Sequence, residues 1–182
     1  MPKDYIAEQL SWLDGMLTHP ENQSLFQNEN LSLIQKELAH RWVKENRLTL
    51  LEELAYKFGE ENVITVLDKI ISVNCKRDWE HAGQEGGNSL DRFFQLLWEP
   101  LRKSGFEYSL VTQGNRTTFC VTKCAMYELA RKISTEKWLY HLACLTDEPA
   151  VTGFNDKIVF RRTRTLMQGY TDCDHCYIDH SQ

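Results

Sequence analysis

No window of this chain approaches the roughly 18 apolar residues that a membrane-spanning helix requires. Its opening, "MPKDYIAEQLSWLDG", is charged from residue 3 and has no apolar core of signal-peptide length. Neither a membrane role nor secretion is therefore expected, and a reducing, cytoplasmic setting is. A dense basic face is missing too. Lysine and arginine total 21 against 26 aspartates and glutamates, a formal net charge of −5, and the densest basic group is the short trio Arg161, Arg162 and Arg164. A phosphate backbone calls for more than that, so nucleic acid is not the expected partner. Repeats, low-complexity tracts and an evident linker are also lacking, which suggests one domain over residues 1–182. The glycine-rich "QEGGN" has neither the spacing of a nucleotide-binding loop nor a strand before it, and no cofactor is called for.

What the chain does contain is a globular balance of 42% apolar and 26% charged residues, enough for a sizeable core. It also has six cysteines, at positions 75, 120, 124, 144, 173 and 176. In a reducing compartment, catalytic or metal roles outrank disulfides, with buried packing as the plain alternative.

Residues 1–105 read as mainly helical. Ile6, Leu10, Leu13 and Leu17 recur at helical spacing, as do Val63, Val66, Leu67, Ile70 and Ile71. Between these runs, residues 31–59 carry one long helix or two, closed by Gly59. "QEGGNSL" breaks the pattern with Asn88 or Ser89 as cap, and Pro100 is expected to kink or divide the next helix. Residues 106–182 read as mixed. "FEYSLVTQGNRTTFCVT" has the threonines, aromatics and Gln113-Gly114-Asn115 turn of a hairpin. Two short helices follow, and "KIVFRRTRTLMQG" and "CDHCYID" read as two further strands. The fold class expected is α+β, with a helical N-terminal half packed on a small antiparallel sheet built from hairpins.

Several residues in the mixed half could carry chemistry. Cys124 falls at the start of a predicted helix, where the dipole and free N–H groups favour a thiolate, and Lys123 beside it pushes the same way. Cys144 ends the second short helix, with His141 one turn before it and Asp147 three residues on. In the last strand, alternation puts Cys173, His175 and Tyr177 on one face and Asp174 and Cys176 on the other. That geometry disfavours a zinc knuckle, which needs both sulfurs turned inward, and no metal site is assigned. It suits proton transfer around Cys173 and His175 with an acid nearby. Arg162 and Arg164, read as sharing one strand face, could clamp a substrate carboxylate, or they could be solvated charge.

Four pieces of the C-terminal third together resemble the L-2-amino-thiazoline-4-carboxylic acid hydrolase family. They are Cys124 opening a helix with Glu128 one turn on, Cys144 followed by Asp147, the Arg-Thr-basic-Thr-Leu run at residues 162–166, and Gly169 with Cys173-Asp174 after a short gap. The resemblance covers roughly residues 118–180. It implies that Cys124, Cys144, Asp147, Cys173 and Asp174 line one site acting on a small-molecule substrate. The expected activity is ring-opening hydrolysis of a cyclic amidine. Cys124 or Cys173 would be the nucleophile, Asp147 or Asp174 the base, and His175 the proton shuttle. The chain departs from the family pattern at His175-Cys176, which points to a different substrate. A rival reading is a module that holds a metal, haem or apolar ligand without chemistry, by analogy of fold with small-ligand-binding domains related to vinyl-reductase proteins.

Overall fold

The computed structural model describes residues 5–181. The charged residues Lys3 and Asp4 of the opening stretch lie outside that range. Five α-helices come first: α1 (Tyr5–Thr18), α2 (Glu29–Arg41), α3 (Arg47–Phe58), α4 (Glu60–Gly86) and α5 (Leu90–Lys103). Then come strands β1 (Glu107–Gln113) and β2 (Arg116–Lys123), helices α6 (Ala125–Ile133), α7 (Glu136–Ala143) and α8 (Asp147–Phe154), and strands β3 (Ile158–Arg161) and β4 (Cys173–Asp179). The four strands form an antiparallel sheet in the order β1-β2-β4-β3. The α+β arrangement expected from the sequence is the arrangement found.

Local chemistry accounts for most of these boundaries. Residues 31–59 form two helices, because Asn46 interrupts the run and caps α3 with its side chain on the N–H groups of Leu48 and Thr49. Gly59, at φ 86°, joins α3 to α4. Ser89, not Asn88, caps α5. Pro100 does not divide α5, which runs through it to Lys103. The apolar stripe of that helix, with Phe93 and Trp98 buried before the missing N–H and Leu101 packed against the core after it, holds it in place on both sides. The hairpin between β1 and β2 turns at Gly114 and Asn115, with Gly114 at φ 58°.

Two features depart from the sequence reading. Helix α8 is additional, and it crosses the long α4 at close range. A Cβ on Gly153 would meet the Lys76 carbonyl, and one on Gly83 would come within 2.7 Å of the Phe154 carbonyl. Gly153→Ala is therefore expected to lower unfolding stability by about 1–3 kcal/mol through overpacking, read in a denaturant titration. The second departure is that β3 ends at Arg161, so residues 162–165 are not strand. The Asp174 carboxylate takes the N–H groups of Thr163 (2.9 Å) and Arg164 (2.8 Å), which a neighbouring strand would otherwise have bonded. The segment arches over β4 and closes in a single 3-10 turn, Leu166–Gln168, capped by Thr165.

Candidate active site

A cavity of about 450 Å³ lies between the N-terminal helices and the inner face of the sheet. Its floor holds a group of polar and sulfur-bearing side chains. Its upper wall is mainly apolar, built by α1, α4 and α5 with Trp12, Trp79, Leu97 and Leu101, and by Phe106, with Gln9 and Asp78 as its polar members.

The strand β4 supplies two floor residues. Its alternation sends Cys173 and His175 to the cavity side, both buried. Cys173 and Cys176 are an odd number of residues apart and so face opposite ways. Among the described residues no three Cys, His, Asp or Glu side chains converge as metal ligands. Helix α8 supplies Asp147 at its first position, and the arch after β3 supplies Arg162. Cys144 comes from the turn before α8. Cys124 is the residue that caps α6.

Asp147 is the hub of this group. Its Oδ2 takes a short ion pair from Arg162 Nη1 and also lies 3.2 Å from His175 Nε2. Arg162 Nη1 donates a second hydrogen bond to the Cys144 carbonyl at 2.9 Å. Burial pushes the Asp147 carboxyl up, but His175 and Arg162 outweigh it and hold its pKa below the usual value. The other oxygen, Oδ1, has no hydrogen-bond partner among the described residues. A Trp98 edge 5.1 Å away and the Phe160 ring at 5.9 Å fix the His175 imidazole from two sides. Its Nδ1 is buried and unpartnered among the described residues.

The three cavity cysteines differ in how their thiolates would be held. Burial raises all three. For Cys124 burial overrides the N–H groups of Tyr127 and Met126 and pushes the thiol up to about 11, so the helix end does not yield the ready thiolate that its position suggested. For Cys144, burial and the neighbouring Asp147 carboxylate both push upward and outweigh the Arg162 guanidinium. Cys173 combines both kinds of counterweight: its sulfur accepts the Leu166 N–H at 3.2 Å, and the Arg162 guanidinium pulls its pKa back down.

Two of the residues expected here lie elsewhere. Asp174 is on the opposite face of β4. Besides the two arch N–H groups it accepts the Thr163 hydroxyl at 2.6 Å, and it does not line the cavity. Arg164 points outward and is tied to Asp172 and Asp174. The two arginines therefore share no strand face, because an arch has no alternation to impose one, and they form no clamp. Asp174→Asn is expected to change turnover by less than tenfold, since the amide oxygen still accepts the arch N–H groups. Asp174→Ala should cost about 1–2 kcal/mol of stability in a thermal melt, as the arch loses its acceptor. His141 also faces away, 2.8 Å from Asp68 on α4. The aromatic wall is the part that the sequence did not reveal. Trp79 and Trp98 pack against Phe93 and Phe119 in the core, yet both also face the cavity.

The family described as L-2-amino-thiazoline-4-carboxylic acid hydrolase matches residues 35–177. No protein with a curated function matches the chain. One similar solved structure is the phenol-responsive sensory domain of the transcription activator PoxR with phenol. It is 14% identical, with 99% of this chain and 92% of that one covered at a TM-score of 0.44.

Proposed function

The chain belongs to the L-2-amino-thiazoline-4-carboxylic acid hydrolase family, and from that premise we propose that it opens a 2-aminothiazoline-type ring by hydrolysis. Cys173 is the nucleophile, and His175 and Asp147 move the proton. The observation that carries the reading is the shared Asp147 Oδ2, which orients His175 and offsets Arg162 on the cavity floor beside Cys173. With Nε2–H directed at Asp147, the His175 Nδ1 carries the free lone pair, and in this proposal a small shift of the ring brings that buried atom to Cys173 and water as the base.

The chemistry balances with one water. Nδ1 takes the Cys173 proton and the thiolate adds to the ring carbon between sulfur and nitrogen. The carbon–sulfur bond of the ring breaks, and the imidazolium returns its proton to the departing sulfur. An isothiourea linked to Cys173 remains. His175 then deprotonates a water that adds to the same carbon, the cysteine sulfur leaves, and a ureido thiol is released. Arg162 favours the thiolate in both halves.

Mass spectrometry of incubations with 2-aminothiazolines tests this. The expected product is one water heavier than the substrate and carries a free thiol. Unchanged substrate throughout would refute hydrolysis. A second reading, a binding module without chemistry, is favoured by the apolar upper wall and predicts tight ligand binding with no product. One core cluster runs from Leu13 in α1 to Tyr177 in β4, which supports treating residues 1–182 as one domain.

A further inference from the structure

We propose that the ring-bearing ligand of this cavity carries an aryl or arylalkyl substituent in place of a carboxylate; the inference rests on the hydrolase reading for the ring itself. Three observations support it. The first is size. At the roughly 20 Å³ per heavy atom of close-packed organic matter, the nine heavy atoms of 2-aminothiazoline-4-carboxylate fill about 180 Å³. The cavity measures about 450 Å³, so more than half of it would be left to other matter.

The second observation is charge. Among the residues that line the cavity, two carboxylates, Asp78 and Asp147, stand against one guanidinium, Arg162. Arg162 and His175, the two lining groups that can carry positive charge, are both already committed to Asp147. Asp78 is bonded to Trp12 Nε1 at 3.1 Å and lies 3.4 Å from Arg77. No cation is left over to offset an ionised carboxylate brought out of water, and an uncompensated one is costly to bury. A basic amidine head fits the same balance well, since Asp147 Oδ1 is open to accept its N–H.

The third observation is the division of the cavity. Most of its polar groups lie on the β4, α8 and arch side, and the opposite wall, apart from Gln9 and Asp78, offers Trp12, Trp79, Leu97, Leu101 and Phe106. Tyr5 belongs to that wall, with its ring 5.3 Å from Phe106. Its hydroxyl has no hydrogen-bond partner among the described residues. Burial, with Cys124, Asp147 and Cys144 nearby, raises its pKa and keeps it a neutral donor. A ligand with one polar end and one apolar end matches this division. Such an apolar group, once buried, is worth about tenfold to a hundredfold in affinity.

The probes are L-2-aminothiazoline-4-carboxylate and 4-benzyl-2-amino-2-thiazoline. Binding is followed by the fluorescence of the cavity tryptophans, and turnover by product mass. At least tenfold tighter binding of the benzyl compound, with higher kcat/KM, supports both the inference and the hydrolase reading. Tighter binding of the benzyl compound with no product from either probe upholds the ligand class and refutes the hydrolase reading. Equal or tighter binding of the carboxylate overturns the inference, as does failure of both probes to bind, while turnover of the carboxylate would leave the hydrolase reading standing. Leu101→Lys, with its fold checked by thermal melt, should shift the preference toward the carboxylate; an unchanged preference would contradict the assignment of that wall.

Discussion

Cys173→Ser is expected to lower turnover of the preferred 2-aminothiazoline by about three orders of magnitude, the scale on which loss of an activated nucleophile usually registers. A serine hydroxyl fills nearly the same space, so the melting temperature should move little. Its alkoxide is much harder to form, and neither the Leu166 N–H nor Arg162 can make up that difference. Cys124→Ser and Cys144→Ser are the informative comparisons. Both side chains line the same cavity, but burial leaves the Cys124 thiol near 11, and Cys144 faces the Asp147 carboxylate. Each of those variants should retain activity within about tenfold of the parent if neither sulfur attacks the ring. Steady-state rates of the three variants, measured at one pH with matched folding checks, separate the possibilities.

The largest effect on stability is expected at Asp147. Asp147→Ala leaves the Arg162 guanidinium, whose side chain is only 9% exposed, without its carboxylate, and it removes the orienting partner of His175. Breaking a buried pair from one side typically costs about 3–5 kcal/mol. Turnover should fall with it, because an imidazole with no acceptor at Nε2 no longer presents Nδ1 as the base. The pH dependence follows from the depressed Asp147 carboxyl. Unfolded, the group titrates near its ordinary 3.8, and folded it titrates lower. The stabilisation is thus complete above about pH 4 and is lost as the pH falls through the folded-state value. Denaturant melts at pH 7 and pH 3 should show the parent losing stability on acidification, with a smaller loss from this source in Asp147→Asn. An Asp147→Ala protein as stable as the parent would contradict the pairing.

Much of the fold was legible because it rests on local rules. The hairpin around Gly114 declares itself through turn residues and β-branched neighbours. The helical spacing of Val63, Val66, Leu67, Ile70 and Ile71 marks the buried face of α4, where all five are found. For the floor of the site, strict alternation in β4 was sufficient to put Cys173 and His175 together and Asp174 on the other side. What escaped depends on contacts distant in sequence. Helix α8 is only eight residues long and has Pro149 in its first turn, so its stability derives from close packing on α4 through Gly153 and Gly83. The arch after β3 has the β-branched composition of a strand, and only the Asp174 carboxylate, about ten residues on, turns its N–H groups away from a ladder. The aromatic wall was hidden for a different reason. Periodicity identifies the side of a helix that is buried, but not whether that side meets other side chains or an empty volume.

The most direct measurement is rapid quenching of the protein during turnover of a 2-aminothiazoline, followed by peptide mapping. The expected result is an isothiourea adduct on the peptide that contains Cys173, formed and consumed within the steady state and absent from Cys173→Ser. An adduct on Cys124 or Cys144 instead, or product formation by Cys173→Ser at the parent rate, would contradict it.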